Sequence, residues 1–232
     1  MRRKSSSLLM PTVLLATILA ATLAAASAIQ INSTTGTWTS ATGGTNVTGL
    51  GTSTVRWGTD TGSGQSGLGF AGSQPPALSV NPDDIFQLGT LTHFNRPIGD
   101  GSASTAATLS LLLNTNLGSP TFVFTFGIDE TPNVLPCAYS PVVTPCPDKI
   151  FLPTAFSTTT FTVNGVLYKL EILGFGPDAA HIQNTFISQE GGDNQTILWA
   201  TLTDPPGNVV PEPGTMVLAM VGLGSLAFRR RK

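Results

Sequence analysis

Over residues 121–128 apolar and polar side chains alternate. Phe122, Phe124, Phe126 and Ile128 fall on one face of an extended chain, and Thr121, Val123, Thr125 and Gly127 on the other. A period of two places one face of a strand against a core. The pattern returns over 159–173, where Phe161 and Val163 precede Asn164-Gly165 and Val166, Tyr168, Leu170 and Ile172 follow it. Asn-Gly between two alternating runs predicts a hairpin with a two-residue type I′ turn. Residues 195–203 place Ile197, Trp199 and Thr201 on one face. Shorter runs predict an edge strand around Trp38 (36–40) and strands within 54–59, 84–94, 109–113, 149–152 and 184–188. Residues 60–72 read as a glycine-rich loop ending in Leu68-Gly69-Phe70. About nine or ten short strands separated by Gly, Pro and Asn turns, with no helical period among them, predict an all-β fold. The expected architecture is a two-sheet antiparallel sandwich over residues 29–204, jelly-roll-like or immunoglobulin-like.

The two ends carry unbroken apolar runs instead. Residues 8–26 follow the basic Met1-Arg2-Arg3-Lys4 and end at Ala26-Ser27-Ala28. A basic start, an apolar stretch and a small-x-small site predict a signal peptide over 1–28, cleaved after Ala28; an uncleaved anchor is the alternative. Near the other end, Pro211-Glu212-Pro213 precedes the uncharged residues 214–228 and the closing Arg229-Arg230-Arg231-Lys232. Prolines keep the tripeptide extended. As a helix, residues 214–228 span roughly 22 Å at ~1.5 Å per residue, against a hydrocarbon core of ~30 Å. The terminal cations stay on the cytoplasmic side. So short a transmembrane helix suits a processing signal better than a permanent anchor, an ordinary single-pass anchor being the alternative. Residues 205–210 read as a linker and 211–232 as the sorting segment.

These three features, in this order, resemble the PEP-CTERM sorting signal. The resemblance implies that an exosortase, a membrane-embedded cysteine protease-transpeptidase of Gram-negative bacteria, recognises Pro211, Glu212 and Pro213 and removes the tail. It implies a precursor carried by the general secretion machinery into the inner membrane. The mature protein would then reside at the cell envelope, the outer surface or the extracellular matrix.

Charge agrees with export and excludes one class of partner. Residues 29–213 hold four cations against thirteen acids, a net charge of −9, because the other basic residues sit at the two ends. So acidic a domain does not seek nucleic acid or anionic lipid, although it could attract Ca²⁺ weakly. Its 185 residues suffice for one sizeable core. Cys137 and Cys146 are the chain's two cysteines, and an even count in an exported chain argues for a disulfide; two free thiols are the alternative.

Candidate chemistry is sparse. Residues 62–67 match G-x-G-x-x-G literally, but Ala71-Gly72-Ser73-Gln74-Pro75-Pro76 cannot start the helix that a dinucleotide site needs. There is no G-x-S-x-G and no H-E-x-x-H. His93 and His181 are the only histidines, so no three-histidine metal site can form within one chain. Asp129 and Glu130 are adjacent and point to opposite faces of a strand, which disfavours them as a glycosidase pair. The acids Asp83, Asp84, Asp100, Asp129 and Glu130 could bind Ca²⁺ through loop oxygens, although no calcium loop of known spacing is present. The most distinctive internal segment is Thr92-His93-Phe94-Asn95, in which His93 and Asn95 share one face. They form either a polar pair at a rim, open to a ligand or cation, or a structural pair bonded to a neighbouring loop.

That tetrapeptide, together with Arg56-Trp57-Gly58, Gly67-Leu68-Gly69-Phe70 and Asp129-Glu130-Thr131-Pro132-Asn133 followed by two cysteines, resembles the THxN group of PEP-CTERM proteins, whose domain is related to choice-of-anchor K. The likeness covers most of 54–173. It implies an exported β-sandwich and no particular reaction. The expectation is therefore a non-enzymatic surface or matrix protein, structural or adhesive, associated with exopolysaccharide or biofilm. It would have no catalytic residue, metal or cofactor, Ca²⁺ being the one ion weighed. A glycan- or calcium-binding lectin-like module using His93 and Asn95 is the alternative, and a polysaccharide hydrolase the third reading.

Overall fold

The computed structural model describes residues 28–153, 156–163 and 166–203. The signal segment with Ala26, the Asn164-Gly165 turn, the linker and the sorting segment lie outside the described residues. Among the described residues there is no helix, and twelve strands form two six-stranded antiparallel sheets. The strands are β1 (Ile29–Thr42), β2 (Thr54–Trp57), β3 (Ser66–Gly72), β4 (Leu78–Val80), β5 (Phe86–Asn95), β6 (Ala106–Thr115), β7 (Thr121–Asp129), β8 (Asp148–Phe151), β9 (Phe156–Val163), β10 (Val166–Gly176), β11 (Thr185–Ser188) and β12 (Gly192–Thr203). The first sheet runs β11-β8-β7-β6-β1-β4 and the second β2-β3-β5-β12-β10-β9.

The alternating segments behave as their period requires. Phe122, Phe124, Phe126 and Ile128 of β7 are buried, as are Ala107, Leu109, Leu111 and Leu113 of β6 beside it. Leu109 pairs with Phe124 and Leu111 with Phe122. Rings close the gap between the sheets: Phe126 lies 6.3 Å from Phe175 of β10, and Phe122 6.0 Å from Phe161 of β9. Burying each such side chain contributes about 1.5–3 kcal/mol. Val163 pairs with Val166, leaving two residues between β9 and β10. On β12 the residues Ile197, Trp199 and Thr201 do share a face, but Leu198, Ala200 and Leu202 on the opposite face fill the core.

Two expectations are corrected and one is extended. The strand around Trp38 is at the sheet's edge over 36–40, where β1 pairs with β6 alone and its other side meets the loop at Gly51-Thr52. It is longer than expected, 14 residues, with Ile29–Ile31 paired to β4 and Trp38 fully buried. Thr34, Gly36 and Trp38 face inward, and only one of the three is a large apolar residue, so the hydrophobic period is hidden. Gly36 is required there, since a Cβ would lie 2.4 Å from Phe70 of the facing sheet. Residues 66–72 are not loop but β3, buried from Ser66 to Phe70 between β2 and β5. Its glycines serve close approach: a Cβ on Gly67 would meet the Val55 carbonyl oxygen at 2.2 Å, and one on Gly72 the Thr34 carbonyl oxygen at 1.9 Å. Twelve strands also exceed the expected number, because β3 is hidden by glycine and the three-residue β4 is too short to show a period.

Cys137 and Cys146 form a disulfide, with Cα atoms 5.3 Å apart, in the irregular connection from β7 to β8. The Cys146 amide donates to Asn133 Oδ1 at 2.8 Å, which ties the bridge to the start of the same connection.

Candidate functional site

The segment carrying His93 and Asn95 is the end of β5, a strand flanked by β3 and β12. The alternation is as read from the sequence. Thr92 and Phe94 face outward, with the Arg56 guanidinium 3.5 Å above the Phe94 ring, and His93 and Asn95 face inward. The pair is not at a rim. Both residues are 0% exposed, because the inward face of a central strand meets the opposite sheet. Ser188, the last residue of β11 in that sheet, holds them: its Oγ lies 2.8 Å from His93 Nδ1, and its carbonyl accepts from Asn95 Nδ2 at 3.0 Å.

Three carboxyl groups converge on this pair. Glu130 follows the end of β7, Asp148 opens β8, and Glu190 lies between β11 and β12. Asp148 Oδ1 accepts from the Thr131 amide at 2.7 Å and from the Thr131 hydroxyl at 3.1 Å. Ser66 Oγ lies 3.4 Å from Glu130 Oε1. One ligating atom each of His93, Glu130 and Asp148 lie within 4.8 Å of one another. Five buried atoms here have no hydrogen-bond partner: His93 Nε2, Asn95 Oδ1, Glu130 Oε2, Asp148 Oδ2 and Glu190 Oε1. Four of them are oxygens that only accept in the ionised or amide form. The unpartnered donor of Trp57 Nε1 faces Glu130. The cluster therefore has acceptors in excess.

The electrostatics follow from that excess. Burial raises Glu130 to about 8, with the nearby Asp148 and Glu190 adding to the shift. Burial likewise raises Asp148 to about 7 against the opposing Thr131 hydrogen bonds, and Glu190 adds repulsion. Glu190 is itself raised by burial. Burial, helped by Arg96, lowers His93 to about 3, so its imidazole is neutral. Negative charge is disfavoured here unless protons or a cation accompany it.

Glu130 also lines a cleft of about 460 Å³ together with Ile98, Gly99, Asp100, Thr131 and Asn133. Of the acids expected to form a calcium group, Asp100 and Glu130 share this cleft, whereas Asp129 and Asp84 are engaged elsewhere. Asp129 points away from the cluster to the Lys149 ammonium at 3.6 Å and the Tyr139 hydroxyl. Asp84 accepts from the Asn81 amide at 2.7 Å. Asp178 pairs with His181 on the surface at 2.7 Å. Glu130 alone of the expected acids joins His93, and sequence reasoning missed Asp148, Glu190 and Ser188. The signal for Asp148 was its place just after Cys146-Pro147, where the disulfide folds the connection back on Glu130-Thr131.

Residues 209–232 match a family model described as the PEP-CTERM protein-sorting motif. The match supports an exported protein, sorted to the cell surface and processed by an exosortase. No similar sequence was found among curated proteins.

Proposed function

We propose that this chain is a PEP-CTERM protein of the THxN group whose sandwich has a structural or adhesive role, without catalysis, at the outer surface or in an exopolysaccharide matrix. The observation that carries the reading is the sorting motif at 209–232, behind a disulfide-bonded β-sandwich. The absence of turnover is supported by burial. Ser188 and His93 stand at the contact distance of a nucleophile and its base, yet both are 0% exposed, and an attacking hydroxyl must reach its substrate. Mass spectrometry of the protein recovered from cells tests the reading. The mature chain is expected to begin near Ile29, to end near Pro213, and to fractionate with surface polysaccharide. Recovery of an intact cytosolic precursor, or turnover of matrix polysaccharide by the purified protein, would refute it.

The cleft beside Glu130 favours a second reading, a glycan-binding module. Its polar walls, Asp100, Thr131 and Asn133 among them, match a sugar's hydroxyls. Binding of matrix oligosaccharides that is lost in Asn133→Ala would select it.

A further inference from the structure

The sequence offers no metal-ligand set at any known spacing, and the sandwich creates one from distant segments. Four facts converge at one end of the space between the sheets. Ligating atoms of His93, Glu130 and Asp148 lie within 4.8 Å of one another. His93 is fully buried, its Nδ1 engaged by Ser188, and its Nε2 is unpartnered. Asn95, also fully buried, fixes its amide nitrogen on the Ser188 carbonyl, lies beside Asp148, and has its Oδ1 unpartnered. The free carboxylate oxygens, Glu130 Oε2 and Asp148 Oδ2, are unpartnered as well. Buried polar atoms are rarely left without partners, and each instance calls for a missing group. A missing water would supply two donors, whereas these four orphans each offer a lone pair once His93 Nδ1–H donates to Ser188, the one unpartnered donor nearby being Trp57 Nε1 on the Glu130 side. A cation satisfies the imidazole and the two carboxylates together.

We infer that His93, Glu130 and Asp148 bind one divalent first-row transition-metal cation between the two sheets. The donor set selects the class of ion. Imidazole suits Zn²⁺ and its neighbours and carboxylate suits Mn²⁺, whereas Ca²⁺ and Mg²⁺ take oxygen ligands throughout. Metal–ligand bonds of about 2.0–2.2 Å put the ligands of a tetrahedral site roughly 3.4 Å apart, so atoms now within 4.8 Å of one another draw together by up to about an ångström on binding, through side-chain rotation. The Nδ1 contact to Ser188 is the outer-shell bond that fixes a metal-binding histidine in the required tautomer. Glu130, shared with the cleft, gives the ion its route inward. The inference does not depend on the structural or adhesive reading above.

The test uses the full chain, stripped with chelator and titrated with MnCl₂, ZnCl₂ or CaCl₂. One equivalent of Mn²⁺ or Zn²⁺ is expected per chain, with a raised melting temperature. The bound Mn²⁺ should show magnetic coupling to a histidine nitrogen in pulsed electron paramagnetic resonance. Affinity should fall at least tenfold in Asp148→Asn, and the nitrogen coupling should vanish in His93→Gln. His181→Ala, which removes the only other histidine, should change neither. Melting of each variant in chelator establishes that it folds, and the wild-type nitrogen coupling stands as a readout even if a variant does not. No saturable binding, Mn²⁺ bound without nitrogen coupling, affinity unmoved by Asp148→Asn, or tighter binding of Ca²⁺ than of Mn²⁺ and Zn²⁺ would each overturn the inference.

Discussion

Glu130→Gln is expected to make the cation-free protein more stable at alkaline pH, although it removes a residue from the candidate site. The wild-type carboxyl has an ordinary value of 4.5 and is raised to about 8 by burial, Asp148 and Glu190. A group whose folded value lies above its unfolded one contributes stability that is full below about 4.5 and lost as pH rises through 8. The whole displacement corresponds to at most about 5 kcal/mol. Asp148 and Glu190 share the same repulsion, and Glu130 touches the cleft, so about 2 kcal/mol is a realistic expectation at pH 8.5. Glutamine keeps the shape, cannot ionise, and offers an amide donor to the unpartnered oxygens nearby. Urea denaturation in chelator would measure the difference. Wild type and variant should agree at pH 5 within about 0.5 kcal/mol, and the variant should lead at pH 8.5. A variant less stable than wild type at pH 8.5 would refute the reasoning, because ionised Glu130 would then have a partner in the cation-free fold.

Other perturbations test the frame around the site. His93 works in the opposite sense: its value falls from 6.5 to about 3, so its stabilisation grows with pH up to about 6.5 and the carboxyl effect alone remains above that. Cation-free protein should therefore lose stability between about pH 6.5 and 8, measurable as a falling melting temperature. Phe126→Ala, which removes the ring between Trp38 and Phe175, should cost about 3–5 kcal/mol in denaturant unfolding. Gly72→Ala, whose Cβ would lie 1.9 Å from the Thr34 carbonyl oxygen, should cost about 1–3 kcal/mol through displaced backbone. Replacing both Cys137 and Cys146 by serine opens a loop of sequence separation 9. It should cost about 2–3 kcal/mol, read as the shift in urea midpoint between variant and wild type.

The sandwich was legible wherever large apolar residues alternate, as in β7, β6 and β10, because period two is a local property. It was illegible in β1 and β3, where Thr34, Gly36 and Ser66 take inward positions and Gly67 and Gly69 the outward ones under Arg56 and Phe94. Those residues are chosen for how near the neighbouring chain must come, and that is a fact about partners distant in sequence. The site divides in the same way. That His93 and Asn95 share a face follows from β geometry, but the direction of that face depends on β5 lying inside its sheet. Asp148 and Glu190 gave no pattern of their own, since they reach His93 only through β8, β11 and the disulfide-closed connection.

The composition of the cluster bears on when it could act. His93 comes from one sheet and Asp148 from the other, with Glu130 supplied by the connection between β7 and β8. His93 stands 37 residues before Glu130 and 55 before Asp148, so the ligand set exists only once the two sheets have packed together. Binding an ion there stabilises the folded state alone, by RT ln(1 + [L]/Kd), which is about 2.7 kcal/mol at a hundredfold excess over Kd. That gain is comparable to the roughly 2 kcal/mol expected from relieving Glu130 of its charge. An exported chain that folds after crossing the membrane would therefore meet its cation outside the cytoplasm. Its stability there would depend on the metal content of the surroundings. Refolding the full chain in chelator and then adding MnCl₂ should restore the wild-type melting temperature without a second folding step. A requirement for the ion during refolding would instead mean that the sheets cannot close over three unneutralised carboxyls.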